Sequence, residues 1–268
     1  MKRPSSFMPS VLIPMILGWI FLLIIPGILF VSDISLFPWL SLDSTAAEIL
    51  FLITSSGTFP YGVATIFLVL LLSYRRLEHS RFFSLFFAIS LSMCTILGLS
   101  HYLKPFFNEA RPNAVWLEQH YLLNTDNFYS LSKAERKEQM MAAVNQIEHA
   151  DTEITLAPLV KQHWQHEVDF SFPSGHTLLA ITLTMVASYY LLIAGNIWIS
   201  SLLFFWSIAM GFSRMLLGMH WTQDVLASTL LGGIIGLLSL LVIHKVFPLV
   251  WSISSKLAPR QIKADRSP

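Results

Sequence analysis

The sequence predicts an all-α polytopic membrane protein with about six transmembrane helices and a partly helical extracytoplasmic lid between the third and the fourth. Three observations predict it. Hydrophobic residues make up 54% of the chain and charged ones only 12%, with a mean hydropathy of +0.61; an ordinary soluble domain carries about 25% charged residues. The apolar residues fall in runs long enough to cross a bilayer, without the alternation of half-buried strands. The long polar interruption, 104–171, exceeds any simple connection and reads as a folded insertion. The domain organisation expected is therefore one membrane domain, 1–268, with 104–171 as a lid inserted in it.

The first span is Val11–Val31, about 21 residues or roughly 31 Å as helix, against a hydrocarbon core of about 30 Å. Met1-Lys2-Arg3 resembles the start of a signal peptide, but the apolar run is too long and lacks a small-x-small end, so a retained span is expected. Pro14 and Pro26 are tolerable kinks within a membrane helix. A second span is expected from about Thr58 to Tyr74, entered through Gly57 and Pro60, with Leu50–Ile53 as a short interfacial lead-in. The third runs from about Phe82 to Leu103. Within 104–171 a helix is expected from Ser132 to Ala150, opening on the capping-box pattern Ser132-Lys133-Ala134-Glu135. The fourth span covers about Thr177–Ile193, and Ala194-Gly195-Asn196 makes a tight turn. The fifth covers about Ile197–Leu217, with Gly218 suited to its C-terminal cap. The sixth covers about Val225–Ile243; its Gly232, Gly233 and Gly236 suit close helix approach as well as the ordinary tolerance of glycine in membrane helices.

Charge orients the bundle. Lys2, Arg3, the loop Arg75–Arg81 and the tail with Lys245, Lys256, Arg260, Lys263 and Arg266 fall on one side. The acidic loop with Asp33, Asp43 and Glu48, the insertion and the 218–224 turn fall on the other. The positive-inside rule makes the first side, and both termini, cytoplasmic. A net charge of +1 with no basic, aromatic-interleaved patch argues against nucleic acid as a partner. Cys94, the single cysteine, allows no intramolecular disulfide. Nothing in the chain calls for an obligate protein partner.

Three separated stretches then reach the same outer face. The third span ends in Lys104-Pro105-Phe106-Phe107-Asn108-Glu109-Ala110-Arg111-Pro112, the fourth begins at Pro173-Ser174-Gly175-His176, and the turn after the fifth holds Ser213-Arg214 through His220 to Asp224. Ser174 is a plausible helix N-cap and Gly175 permits close backbone approach; a helix N-terminus there would favour an anion. Taken singly, Lys104, Arg111 or Arg214 would read as a snorkelling anchor. Together, with no matching acidic cluster beside them in sequence, they form a phosphate-binding set. His220 and Asp224, four apart, suit a carboxylate-oriented imidazole nucleophile, although a simple helix cap has the same spacing. His176 would be a separate general acid.

The three stretches resemble the type 2 phosphatidic acid phosphatase superfamily, whose pattern is Lys-x6-Arg-Pro, Pro-Ser-Gly-His and Ser-Arg-x5-His-x3-Asp. Every fixed position is met, in order, over Lys104 to Asp224. The resemblance implies a membrane lipid phosphate phosphatase of the bacterial inner membrane with its active site on the periplasmic face. His220 would attack phosphorus to form a phosphohistidine, with Asp224 orienting it and His176 protonating the leaving oxygen. Lys104, Arg111, Arg214, Ser174 and Gly175 would bind the phosphoryl oxygens, Ser213 assisting, and neither metal nor cofactor would be required. The implied substrates are phosphatidylglycerol phosphate, phosphatidic acid, lysophosphatidic acid and undecaprenyl diphosphate. A lipid phosphotransferase using the same phosphohistidine and a non-catalytic lipid-phosphate carrier are the alternatives; a soluble vanadate-dependent haloperoxidase shares the motif but not the spans. His163, His166, Glu167 and Asp169 could be read as metal ligands, but without a third ligand at zinc-like spacing they read as polar lid surface. Trp116, Trp164 and Trp221 read as interfacial aromatics, Trp221 also as a wall of the lipid entrance.

Overall fold

In the computed structural model, residues 8–147 and 154–257 are described. Among them the chain forms eleven helices and no strand: α1 Pro9–Val31, α2 Thr45–Ser55, α3 Tyr61–Tyr74, α4 His79–Phe107, α5 Pro112–Gln119, α6 Thr125–Ser130, α7 Lys133–Gln146, α8 Pro158–His166, α9 Gly175–Ile193, α10 Ile197–Leu216 and α11 Thr222–Leu257. Five of the described segments, built on α1, α4, α9, α10 and α11, are long and apolar enough to cross a membrane. These answer to the expected first, third, fourth, fifth and sixth spans.

The second span differs from its expected form. The chain supplies two shorter apolar helices, α2 with 11 residues and α3 with 14. At about 1.5 Å per residue neither reaches the ~30 Å of a hydrocarbon core alone. The break lies at Ser56–Pro60. Pro60 has no N–H to continue the ladder, and Ser56 Oγ donates to the Ile53 carbonyl, turning the chain out of the helix. α2 packs on α10 and α8, whereas α3 packs on α4 and α9.

α9 is the centre of the bundle, in contact with α10, α11, α4 and α1. Nearly every residue from Thr177 to Leu191 is buried. Its hydroxyls bond across to neighbouring helices: Thr182 Oγ1 donates to the Gly232 carbonyl at 3.0 Å, and Thr184 Oγ1 lies 2.7 Å from Ser207 Oγ. In a medium without water, such hydroxyls and close small-residue contacts hold helices together. The α11 glycines serve that purpose. A Cβ on Gly232 would lie 3.0 Å from Ile181 Cβ, and one on Gly236 2.8 Å from Met185 Cβ, both on α9. Gly233 faces α1, where a Cβ would fall within 2.0 Å of Trp19, whose indole N–H donates to the Thr229 carbonyl at 2.8 Å.

The turns follow local chemistry. Ser174 and Asn196 cap α9 and α10 with their side chains, and Ser132 and Glu135 close the expected capping box on α7. Gly195 and Gly218 take positive φ, 72° and 69°, at the ends of α9 and α10. The expected helix from Ser132 to Ala150 ends at Gln146; residues 148–150 lie outside the described residues.

The four helices of 104–171 build a core of their own. Leu117, Phe128, Met140, Val144, Val160 and Trp164 are buried together with Leu42 from the loop before α2 and Leu217 and Met219 from the turn before α11. Trp116 and Trp164 thus depart from the expected interfacial placement. Both are buried, and the Trp164 indole N–H donates to the Leu217 carbonyl at 2.9 Å. Sequence placed them by hydropathy; the insertion's own core claims them.

Gly233→Val should cost about 1–3 kcal/mol through overpacking against Trp19, seen as a lower midpoint for thermal unfolding in detergent. An unchanged midpoint would mean that α1 does not dock on α11 as described.

Candidate active site

The expected site lies where α4 ends, α9 begins and α10 turns into α11. Backbone and side-chain bonds tie these ends together. Asn113 N–H donates to the Gly218 carbonyl, Ser171 N–H to the Glu109 carbonyl, and the Trp221 indole to the Ala110 carbonyl at 2.8 Å. Trp221 is thereby a strut between two of the motifs. Gln223 Nε2 adds a bond to Glu109 Oε1 at 2.9 Å.

Arg111 and Arg214, expected to bind phosphate, are among the most buried side chains, at 2% and 0% exposure. Arg111 Nε donates to the Asp169 carbonyl at 2.6 Å and Nη1 to the Met219 carbonyl at 3.1 Å. Arg214 Nη1 donates to Thr54 Oγ1 and to His163 Nε2, each at 2.9 Å. Between the two guanidiniums lies Glu167 Oε2, 3.0 Å from Arg111 Nη2 and 3.6 Å from Arg214 Nη2. Arg214 Nε and Nη2 are buried without a hydrogen-bond partner among the described residues. Unmet donors on a buried cation are what an incoming phosphate oxygen would satisfy.

Two expectations change here. The sequence shows no acidic cluster beside the cations, yet Glu167, nearly fifty residues upstream of Arg214 (~47 by the numbering) and on the insertion, supplies a carboxylate to both. His163 and Glu167, read as polar lid surface, are instead part of the site. His163 is buried, and its imidazole is pushed down to about 3 by burial and then by the adjoining Arg214 charge. It therefore stays neutral and accepts from Arg214 through Nε2. Burial works to raise Glu167, but the Arg111 and Arg214 guanidiniums outweigh it and hold the carboxyl well below its usual range. Among the described residues no group of three or more His, Cys, Asp or Glu is arranged to hold a metal ion.

His220 and Asp224 meet as expected: Nδ1 lies 3.1 Å from Asp224 Oδ2, with both side chains buried. A proton on Nδ1 would donate to the carboxylate and leave Nε2 with the lone pair. The cap reading of the same spacing also holds, because Trp221 N–H donates to Asp224 Oδ2 at 2.9 Å at the start of α11. One carboxylate does both. Ser171, which sequence reasoning passed over, also touches this pair: its hydroxyl donates to Asp224 Oδ2 and lies 3.3 Å from His220 Nδ1. Burial, then the charges of Arg111, Arg214 and Lys104, hold the His220 imidazole well below its ordinary range.

His176 sits in the first turn of α9 with Nε2 2.7 Å from Thr58 Oγ1. Ser174 Oγ caps the helix, accepting from Thr177 N–H at 3.4 Å, and a Cβ placed on Gly175 would meet nothing within 4 Å. The α9 N-terminus is thus open beside Gly175, where its dipole favours negative charge. Lys104 Nζ donates to the Phe170 carbonyl at 2.7 Å, next to Ser171. The Ser213 hydroxyl is engaged within the protein: it donates to the Met210 carbonyl at 2.8 Å and lies 3.2 Å from Thr54 Oγ1. Beside Thr58 opens a cavity of 840 Å³ between α2, α3 and α8, lined mostly by apolar side chains such as Phe51, Leu52, Phe59 and Leu68, with His163 at its wall.

With this geometry in place, the chain can be set beside known proteins. The PAP2 superfamily matches residues 81–248, and the chain belongs to that family. It is 32% identical over 193 residues to phosphatidylglycerophosphatase B of Escherichia coli K12, covering 68% of this chain and 70% of the relative. It is 31% identical over 192 residues to phosphatidylglycerophosphatase B of Haemophilus influenzae, covering 69% and 77%. A shorter match, 36% over 75 residues, covers 26% of this chain and 32% of an undecaprenyl-diphosphatase of Sulfolobus acidocaldarius.

A phosphate group bound at Arg111 and Arg214 would compete with Glu167 for the same guanidiniums. Glu167→Gln should therefore bind inorganic phosphate more tightly, by about tenfold or ~1.4 kcal/mol, measured as the phosphate-dependent rise in thermal midpoint in detergent. A weaker phosphate response in the variant would show that the carboxylate supports the anion site and does not compete for it.

Proposed function

We propose that the protein hydrolyses membrane lipid phosphates through a phosphohistidine on His220. Family membership and the likeness to phosphatidylglycerophosphatase B support a lipid phosphate phosphatase. The observation that carries the chemistry is the His220–Asp224 pair beside two buried guanidiniums at the open end of α9. His220 Nε2 attacks phosphorus as the P–O bond to the lipid breaks, and His176 gives its proton to the leaving oxygen. Water then attacks the phosphohistidine, His176 takes the proton back from that water, and His220 leaves phosphorus with its lone pair restored. Lys104, Arg111, Arg214, Ser174 and the Gly175 N–H hold the equatorial oxygens. Phosphoryl transfer needs chiefly such positioning and charge stabilisation, so the cationic cluster can serve without a metal.

Phosphatidylglycerol phosphate is the foremost substrate on the strength of the relatives, with undecaprenyl diphosphate, phosphatidic acid and lysophosphatidic acid as further members of the class. The apolar cavity beside Thr58 suits lipid tails entering from the bilayer side. The charge distribution along the chain supports an active site on the periplasmic face of a bacterial inner membrane, with both termini cytoplasmic. On this reading α5–α8 form the periplasmic insertion of a single membrane domain.

Phosphate release from phosphatidylglycerol phosphate and undecaprenyl diphosphate, measured in detergent with excess EDTA, tests the proposal. Release should persist in EDTA and fall by at least about a thousandfold in His220→Ala. Binding without release by the intact protein would leave a carrier in place of an enzyme.

The same proposal fixes a pH dependence. The nucleophile must be neutral, and the field of the cations lowers its proton affinity. The acid limb of kcat/KM should therefore fall below about 6.5, the ordinary imidazole value. Lys104→Met removes part of that field and should move the limb up. A limb that stays in place would contradict the electrostatic cause.

A further inference from the structure

The break in the second span has a product: it delivers Thr58 to His176. The hydroxyl lies 2.7 Å from His176 Nε2 and donates to the Thr54 carbonyl at 3.3 Å. A hydroxyl has a single proton to give, so a Thr58 that donates to Thr54 must accept from Nε2–H. The preceding residue packs against the neighbouring ring carbon, on the same edge of the imidazole. A Cβ on Gly57 would lie 3.1 Å from His176 Cδ2, closer than most side-chain contacts, so glycine lets the turn lie against the imidazole.

The turn is itself firmly held. Thr65 Oγ1 donates to the Ser56 carbonyl at 2.8 Å, the Trp206 indole donates to Ser56 Oγ at 2.8 Å, and Gly62 N–H donates to the Thr58 carbonyl at 2.7 Å. Bonds from α3 and α10 thus converge on Ser56 and Thr58, within a turn that a continuous membrane helix would have spent on its own ladder. A loop fixed from both sides and aimed at an imidazole is a positioning device.

We propose that Thr58 is a positioning residue for His176, holding the proton on Nε2 so that Nδ1 is the nitrogen that protonates the leaving lipid oxygen. The inference rests on the reading of His176 as general acid. In the transfer step the P–O bond breaks, the Nδ1–H proton passes to the leaving oxygen, and the imidazole remains neutral with its Nε2–H bonded to Thr58. In the return step Nδ1 takes a proton from the attacking water. Thr58 stands to His176 as Asp224 stands to His220, but with a neutral acceptor. A carboxylate would hold the imidazolium too tightly for a group that must give its proton away, whereas a hydroxyl fixes the tautomer and orientation without adding charge.

The full-length protein in detergent tests this with two substrates. Short-chain phosphatidic acid has a poor alkoxide leaving group and needs the acid; p-nitrophenyl phosphate has a good one and hardly does. Thr58→Val, of nearly the same shape, should lower kcat on the lipid at least about tenfold, within the range of general acid catalysis. Its KM should change little, and its loss on the nitrophenyl ester should be several times smaller. Thr58→Ser should recover most of the lipid rate. If Thr58→Val fails to fold, Gly57→Ala, which crowds the same ring, should show the same selective loss. Equal losses on both substrates, or none, would overturn the inference. His176→Gln separates this from a failure of the underlying reading. If that variant, too, loses both substrates equally, His176 is not the acid and the role of Thr58 falls with it. If His176→Gln is selective and Thr58→Val is not, Thr58 alone is wrongly placed.

Discussion

Two guanidiniums buried side by side set the terms for the rest of this structure. Removing an ion from water costs several kcal/mol even after relaxation, and a like charge beside it adds to that cost. Arg111 and Arg214 are offset by groups drawn from four places: the Glu167 carboxylate, the Asp169 and Met219 carbonyls, Thr54 from α2 and His163 from α8. Glu167 and Asp169, which hold Arg111, and His163, which holds Arg214, all come from 104–171. The segment 104–171 is therefore better understood as a wall of the site than as a cover over it. Its own apolar core, shared with Leu42, Leu217 and Met219, gives the wall the stiffness that such a charge arrangement needs.

The same field organises the chemistry. Burial and three cations hold the His220 imidazole well below its ordinary range, and Asp224 lies against its Nδ1, where on the proposed mechanism it would fix which nitrogen holds the proton. Neutrality and orientation together are what a nucleophile requires. A phosphate dianion arriving at Arg111 and Arg214 offsets part of the positive field, so proton transfer among nearby imidazoles costs less with substrate bound than without it. On the proposed mechanism, one set of charges would attract the substrate, keep the nucleophile ready and relax its opposition to protonation once the substrate is in place.

The motif residues were legible in the sequence because their geometry is local. The four-residue spacing of His220 and Asp224, the Ser174 cap on α9 and the capping box at Ser132 are short-range facts that the bundle preserves. So was the fold class, since apolar runs in lipid must become helices. What the sequence hid was long-range. Glu167 and His163 sit in a stretch whose polarity is that of any surface, and nothing local says that they turn inward to Arg214. Trp164 has the composition of an interfacial anchor, yet it fills a core. By sequence Thr58 is the first residue of a span entered through Gly57 and Pro60; in the fold these residues lie in a turn between two half-length helices. In each case the deciding partner lies more than about forty residues away, beyond the reach of periodicity or spacing.

That turn exposes a conflict specific to enzymes working at a membrane surface. A span wants every backbone group bonded within itself, because lipid offers no alternative partner. An imidazole at the end of α9 needs polar neighbours at the same depth. The chain reconciles the two by breaking the second span at the level of the site and tying the break with side chains: Thr65 donates to the Ser56 carbonyl, Trp206 to the Ser56 hydroxyl, and Thr58 to the Thr54 carbonyl, which also accepts from Gly57 N–H. The break then costs few hydrogen bonds, and it brings a hydroxyl to His176 and an apolar cavity to the same side. On the proposed mechanism, tails and leaving oxygen would be received at one interruption, while the cations hold the phosphoryl group. A continuous second span would have served the bilayer equally well, but would have left that ring without its seat.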